Sequence, residues 1–147
     1  MQTPKNIVLE AEMIHDVRII PINGQVKPAA LHPWFGDSQA HWEGETLVVE
    51  TRNMNPIQAV GAQVPLSPQG KITERFTRKS DVEIFYEYTV DDPTYYSQVW
   101  KGEMPLRKSK DPLYEYACHE GNYSLPGMIR GDSLGIDTAI EKEGEEG

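Results

Sequence analysis

A chain of 147 residues with 38% apolar and 25% charged content and three tryptophans is long enough for one sizeable core and too apolar for wholesale disorder. Its 23 acidic against 14 basic residues give a formal charge of −9, which repels phosphate backbones and argues against nucleic acid as a partner. No apolar run approaches the roughly 20 residues of a membrane-spanning helix, and Met1-Gln2-Thr3-Pro4 lacks a signal-peptide profile, so a soluble domain without a membrane partner is expected.

Period-two alternation begins at Ile7, where Ile7, Leu9, Ala11 and Met13 alternate with Val8, Glu10 and Glu12 and predict a first strand. Asp16 to Ile22 predicts a second, with Val17 and Ile19 on the face opposite Arg18 and Ile20. Pro21, Asn23-Gly24 and Pro28 break the pattern, and Leu31 to Gly36 reads as an ordered loop. His41 to Thr51 carries a hairpin signal around Gly44. Met54 to Gly70 contains Pro56, Gly61, Pro65, Pro68 and Gly70, too many for a central strand or a long helix, and predicts a long loop and candidate lid.

Lys71 to Arg78 predicts another strand, followed by a turn at Lys79-Ser80-Asp81 and by the clearest strand of all, Val82 to Val90. There Val82, Ile84, Tyr86, Tyr88 and Val90 share one face, and Glu83, Phe85, Glu87 and Thr89 share the other. Asp91-Asp92-Pro93 ends it. Tyr95 to Leu106 and Leu113 to Glu120 are expected as two further strands, joined across Lys108 to Pro112. No helix of useful length is predicted. Residues 1–123 are therefore expected to form a single β domain and 124–147 a partly disordered tail.

Seven or eight short strands joined mostly by polar turns predict an all-β antiparallel meander closing into a small, lipocalin-like barrel, with a sandwich as the alternative. Closure would remove exposed edges, and a barrel of about eight strands can hold one small ligand.

Four segments, His41 to Thr51, Glu74 to Arg78, Thr89 through Pro93 to Trp100, and Glu115 to Asn122, together resemble a family of uncharacterised, often exported bacterial proteins. The resemblance covers residues 7–123; its members often carry an export signal and an extra N-terminal segment, and it implies domain limits but no catalytic activity.

Trp34, Asp37, Ser38, His41 and Trp42 form the densest group of chemically capable residues, a loop-to-strand stretch suited to a pocket rim. Glu115, His119 and Glu120 form a second; on a strand Glu115 and His119 would share a face as an acid–base pair or an outward ion pair. His15-Asp16 and Arg18 form a third, in which Arg18 suits a carboxylate held through two parallel hydrogen bonds. Convergence of His15, His41 and His119 would make a metal site, but none of them shows ligand spacing, and no metal is expected.

Gly131-Asp132-Ser133-Leu134 spells an esterase-like signature outside any α/β context, and Gly36-Asp37-Ser38 with His41 lacks a strand–turn–helix around its serine. Neither reads as a triad. Cys118, the lone cysteine, reads as a small buried hydrophobe. No nucleotide-binding fingerprint is present, so no NAD, FAD or ATP cofactor is expected.

The function these features predict is a domain that binds a small, partly apolar molecule. Trp34, Trp42, Trp100, Tyr86 and Tyr88 would supply contact area, with Arg18 and His41 orienting the ligand. A cofactor-independent hydrolase, lyase or isomerase using His41 or His119 with Asp37, Glu115 or Glu120 is the alternative. A third is an interaction module whose unclosed sheet edge pairs with another chain, a homo-oligomer included.

Overall fold

The computed structural model describes residues 1–13, 16–59, 62–114, 116 and 123–133. These fall in two compact units, Met1–Tyr114 and Glu115–Gly147. The first is mostly antiparallel β structure in two sheets. Strands β1 (Asn6–Glu10) and β2 (Val17–Pro21) pair as a hairpin, and β3 (Asp37–Glu43), β4 (Thr46–Arg52), β5 (Lys71–Arg78), β6 (Glu83–Asp91) and β7 (Trp100–Arg107) form a five-stranded meander in chain order.

The meander stays open, with β3 and β7 at its edges, so the expected barrel closure does not form among the described residues. Its β3 edge is partly capped where Ile22 makes a parallel bridge to Ala40 and Asn23 N–H donates to the Ala40 carbonyl at 2.8 Å. Of the expected strand from Leu113 to Glu120, Leu113 and Tyr114 are not in a strand, and Glu115 and residues 117–120 lie outside the described residues. In the second unit Ser124–Ser133 forms helix α1, where no helix was expected. Pro126 falls in its first turn, where a missing N–H is tolerated, and Gly127 N–H closes that turn on the Tyr123 carbonyl at 2.8 Å.

Register follows from the hairpins. Glu43 pairs with Thr46 across Gly44-Glu45, and Gly44 has φ 60°, the positive value that a two-residue hairpin loop opening on glycine requires. Across the meander, the row Trp42, Leu47, Phe76, Tyr86 and Met104 and the row Ala40, Val49, Glu74, Tyr88 and Gly102 fall on one face, the inner one. The other face carries His41, Arg75, Glu87 and Glu103 and the ion pairs Lys71–Glu50, Arg75–Glu43 and Arg107–Glu83, the solvated side of a half-covered antiparallel sheet.

The hairpin β1–β2 covers the inner face over β3 and β4. Ile7 and Ile20 pack with Ala40, Leu47 and Val49, while Leu9, Ile22 and Phe76 pack around them. Beyond Phe76, the same face over β5, β6 and β7 has no such strand cover among the described residues, and the candidate site lies there.

Candidate functional site

A hollow of about 370 Å³ opens on the inner face. Ile72 of β5, Tyr86, Tyr88 and Val90 of β6 and Met104 of β7 form its floor, and Phe35, Met54 and Val64 come from loops around it. Arg18, Thr51 and Glu74 supply the polar part of the lining.

The floor is aromatic because β6 places tyrosines at alternate positions on one face. Tyr86 and Tyr88 stack at 5.7 Å and 29°, and Phe76 lies 4.9 Å beyond Tyr86. Trp100 meets Tyr88 edge-on at 5.6 Å, and Tyr96 meets Trp100 at 5.7 Å, in the edge-to-face geometry that aromatic quadrupoles favour. Gly102 sits opposite Tyr88, and a Cβ there would come within 2.4 Å of its ring, so the absent side chain is what lets the tyrosine lie across β7.

The polar part is a closed network. Arg18 reaches from the hairpin and donates through Nη1 to Glu74 Oε1 at 3.1 Å and through Nη2 to Glu74 Oε2 at 2.7 Å. Nη2 also lies 3.3 Å from Ser38 Oγ and 3.2 Å from Thr51 Oγ1, two hydroxyls that are 2.8 Å apart. Tyr86 O–H donates to Glu74 Oε1 at 3.0 Å. The Arg18 and Glu74 side chains are 25% and 8% exposed, so the pair is largely withdrawn from water and fork-to-fork geometry compensates both charges. Burial, and then the Glu74 charge, hold the Tyr86 phenol far above its ordinary value, which keeps it a hydrogen-bond donor.

The loops walling the hollow are anchored by side chains that bond backbone. Gly36 N–H also closes a backbone turn on the Pro33 carbonyl at 2.9 Å, and of the two residues inside it Phe35 lines the hollow and Trp34 remains exposed. Asn53 and Asn55 side-chain amides donate to the Ala29 and His32 carbonyls at 2.9 and 3.2 Å, tying the strand-exit carrying Met54 to the preceding loop. At the other end of the long loop, buried Asp92 accepts from Ser67 N–H at 2.6 Å, Ser67 Oγ at 2.9 Å and Thr94 N–H at 2.9 Å. Burial opposes its ionisation, yet the bonds from Ser67 and Thr94 prevail and hold its carboxyl below the usual range. Tyr96 O–H donates to the Pro65 carbonyl at 3.1 Å and completes the clasp.

Of the residues expected at a site, Arg18, Tyr86 and Tyr88 line the hollow, and Trp100 packs behind Tyr88 outside the lining. Trp34 and Trp42 are 52% and 45% exposed and line no part of it; Trp42 faces a separate polar groove beside Glu45 and Arg78. The expected rim of tryptophans is therefore not assembled. Asp37 is buried but occupied, accepting from Lys27 N–H at 2.6 Å. His41 points to the outer face, where its Nε2 lies 3.2 Å from Glu43 Oε1. The Arg75 guanidinium and then His41 hold the Glu43 carboxyl below its ordinary range. Hence Asp37 and His41 do not join Arg18 at one centre.

His15, Glu115, His119 and Glu120 lie outside the described residues, as does Cys118. Among the described residues no group of three or more His, Cys, Asp or Glu side chains is placed to hold a metal. Sequence reasoning missed Glu74, Thr51, Phe35, Met54, Val64 and Met104. Glu74 alone carried a signal, since it falls between Ile72 and Phe76 on the same face of β5.

Fold and site thus define an antiparallel β domain with one half of its inner face core and the other half an apolar hollow beside a neutralised ion pair. Compared with protein-family models, curated proteins and solved structures, the chain matches none.

Proposed function

We propose that this domain binds a small, largely apolar molecule in the hollow on the inner sheet face. One observation carries the reading: a cavity of about 370 Å³ with an almost wholly apolar floor, ending at a compact polar network. That volume falls within the roughly 300–1,000 Å³ of small-molecule sites, whose usual composition is an apolar lining with few, fixed polar groups. The site lies on an open sheet, so ligand binding here does not depend on closure into a barrel. Tyr88 and Met104 would supply contact from below, and Phe35, Met54 and Val64 from the loops. The acid–base alternative loses support from His41, which sits with Glu43 on the solvated face away from the hollow.

The test is a titration with phenylnaphthylamine, an uncharged fluorophore whose emission rises in apolar surroundings. Wild type is expected to bind it saturably, and Val64→Trp, which crowds the hollow from a partly exposed loop position, is expected to weaken binding about tenfold with an unchanged melting temperature. Equal affinity in both proteins would contradict the assignment.

A further inference from the structure

Resting on the ligand-binding reading above, we propose that the hollow selects uncharged aromatic molecules and rejects anionic ones of the same shape, with Glu74 as the residue that sets this preference. An arginine lining an apolar cavity would ordinarily recruit a ligand carboxylate, sulfonate or phosphate. Here the Nη1/Nη2 fork is already taken and the charge balanced by Glu74. Both terminal nitrogens of Arg18 are bonded to Glu74, and Nη2 also contacts the Ser38 and Thr51 hydroxyls. Glu74 in turn accepts on both oxygens and takes the Tyr86 O–H as well.

An anionic ligand entering this site would have to displace Glu74 from Arg18, which leaves a carboxylate unpaired, or remain uncompensated beside that carboxylate. Either outcome places an unpaired charge in surroundings withdrawn from water, the costly arrangement. An uncharged molecule meets neither obstacle. The floor also favours a flat ring system: Tyr86 and Tyr88 lie within 29° of one another, and the thioethers of Met54 and Met104 adapt to aromatic edges.

Phenylnaphthylamine and anilinonaphthalene sulfonate share a ring skeleton and differ by one sulfonate, so their affinity ratio reads the charge preference directly. The ratio is measured at high salt, where long-range repulsion from the protein's net charge is screened but contacts inside the hollow are not. Wild type is expected to bind the uncharged probe at least about tenfold more tightly. Glu74→Gln keeps the shape and frees the Arg18 charge, and is expected to move the ratio about tenfold toward the anion. Glu103→Gln, on the outer face, makes the same change in net charge and is expected to leave the ratio unmoved.

Anion binding by wild type as tight as that of the uncharged probe would overturn the inference while leaving the pocket reading intact. So would a Glu74→Gln ratio equal to that of Glu103→Gln. Failure of wild type to bind either probe would remove the pocket reading and the inference with it. Equal wild-type affinities overturn the inference even if Glu74→Gln does not fold.

Discussion

The two halves of the inner sheet face are built from similar strands and differ in what lies over them. Above β3 and β4, the β1–β2 hairpin brings Ile7 and Ile20 down onto Ala40, Leu47 and Val49, and the result is ordinary core. Above β5, β6 and β7 the described cover is mostly loop, with Arg18 reaching in from the hairpin, and the tyrosines, Met104 and Val90 line a hollow. Arg18 stands at the boundary, on the covering hairpin but bonded to Glu74 of the central strand. An apolar sheet face therefore becomes core or pocket according to the reach of its cover.

If that division is right, the largest loss of stability should come from the covered half. Ile20 is fully buried, and Ile20→Ala is expected to cost about 2–5 kcal/mol in a urea titration, whereas Met104→Ala in the open half should cost much less and should weaken phenylnaphthylamine binding instead. A comparable cost at both positions would erase the distinction. At the boundary, Arg18→Met strands the buried Glu74 carboxylate and is expected to cost about 3 kcal/mol. The double variant Arg18→Met with Glu74→Leu should recover most of that, as a desolvated pair replaced by apolar side chains commonly does.

The loop anchor sharpens the comparison through pH. Asp92 titrates lower in the folded chain than the roughly 3.9 of an unfolded aspartate, so the folded state binds fewer protons. Its contribution is present above the unfolded value and is lost as pH falls through the folded one. Asp92→Asn is accordingly expected to lower the melting temperature by a steady amount between neutral pH and about 5, corresponding to about 1–2 kcal/mol. The gap from wild type should narrow below about pH 4. A gap that stays constant in acid would show that the carboxylate is not what holds Ser67. The smallest effect is expected at His41, whose Ala variant loses one contact with exposed Glu43 on the outer face and should alter neither melting temperature nor probe affinity.

The strand faces were visible in the sequence, because strand alternation is a local property. The faces assigned to Val82–Val90 are those of β6, the separation of Arg18 and Ile20 from Val17 and Ile19 holds in β2, and the hairpin turns at Gly44. The pairing of faces was not local. Arg18 was legible as a carboxylate holder, yet its carboxylate comes from within the chain, 56 residues away. The clue was paired: an arginine sharing a strand face with Ile20, and a glutamate between Ile72 and Phe76. Two opposite charges on apolar faces each need a partner, and they are one another's. Trp34 and Trp42 misled because a large aromatic residue fits a core, a rim or an exposed turn, and only tertiary placement separates these. Barrel closure was not readable either, since it depends on whether two edge strands far apart in sequence meet.

The central claim, that the uncovered half of the inner face is the binding site, is tested most directly by methyl-resolved NMR during a phenylnaphthylamine titration. The methyl signals of Met54, Val64, Ile72, Val90 and Met104 are expected to shift together and saturably, while those of Ile7, Ile20, Leu47 and Val49 stay in place. Shifts confined to the covered half, or spread evenly over both, would contradict it.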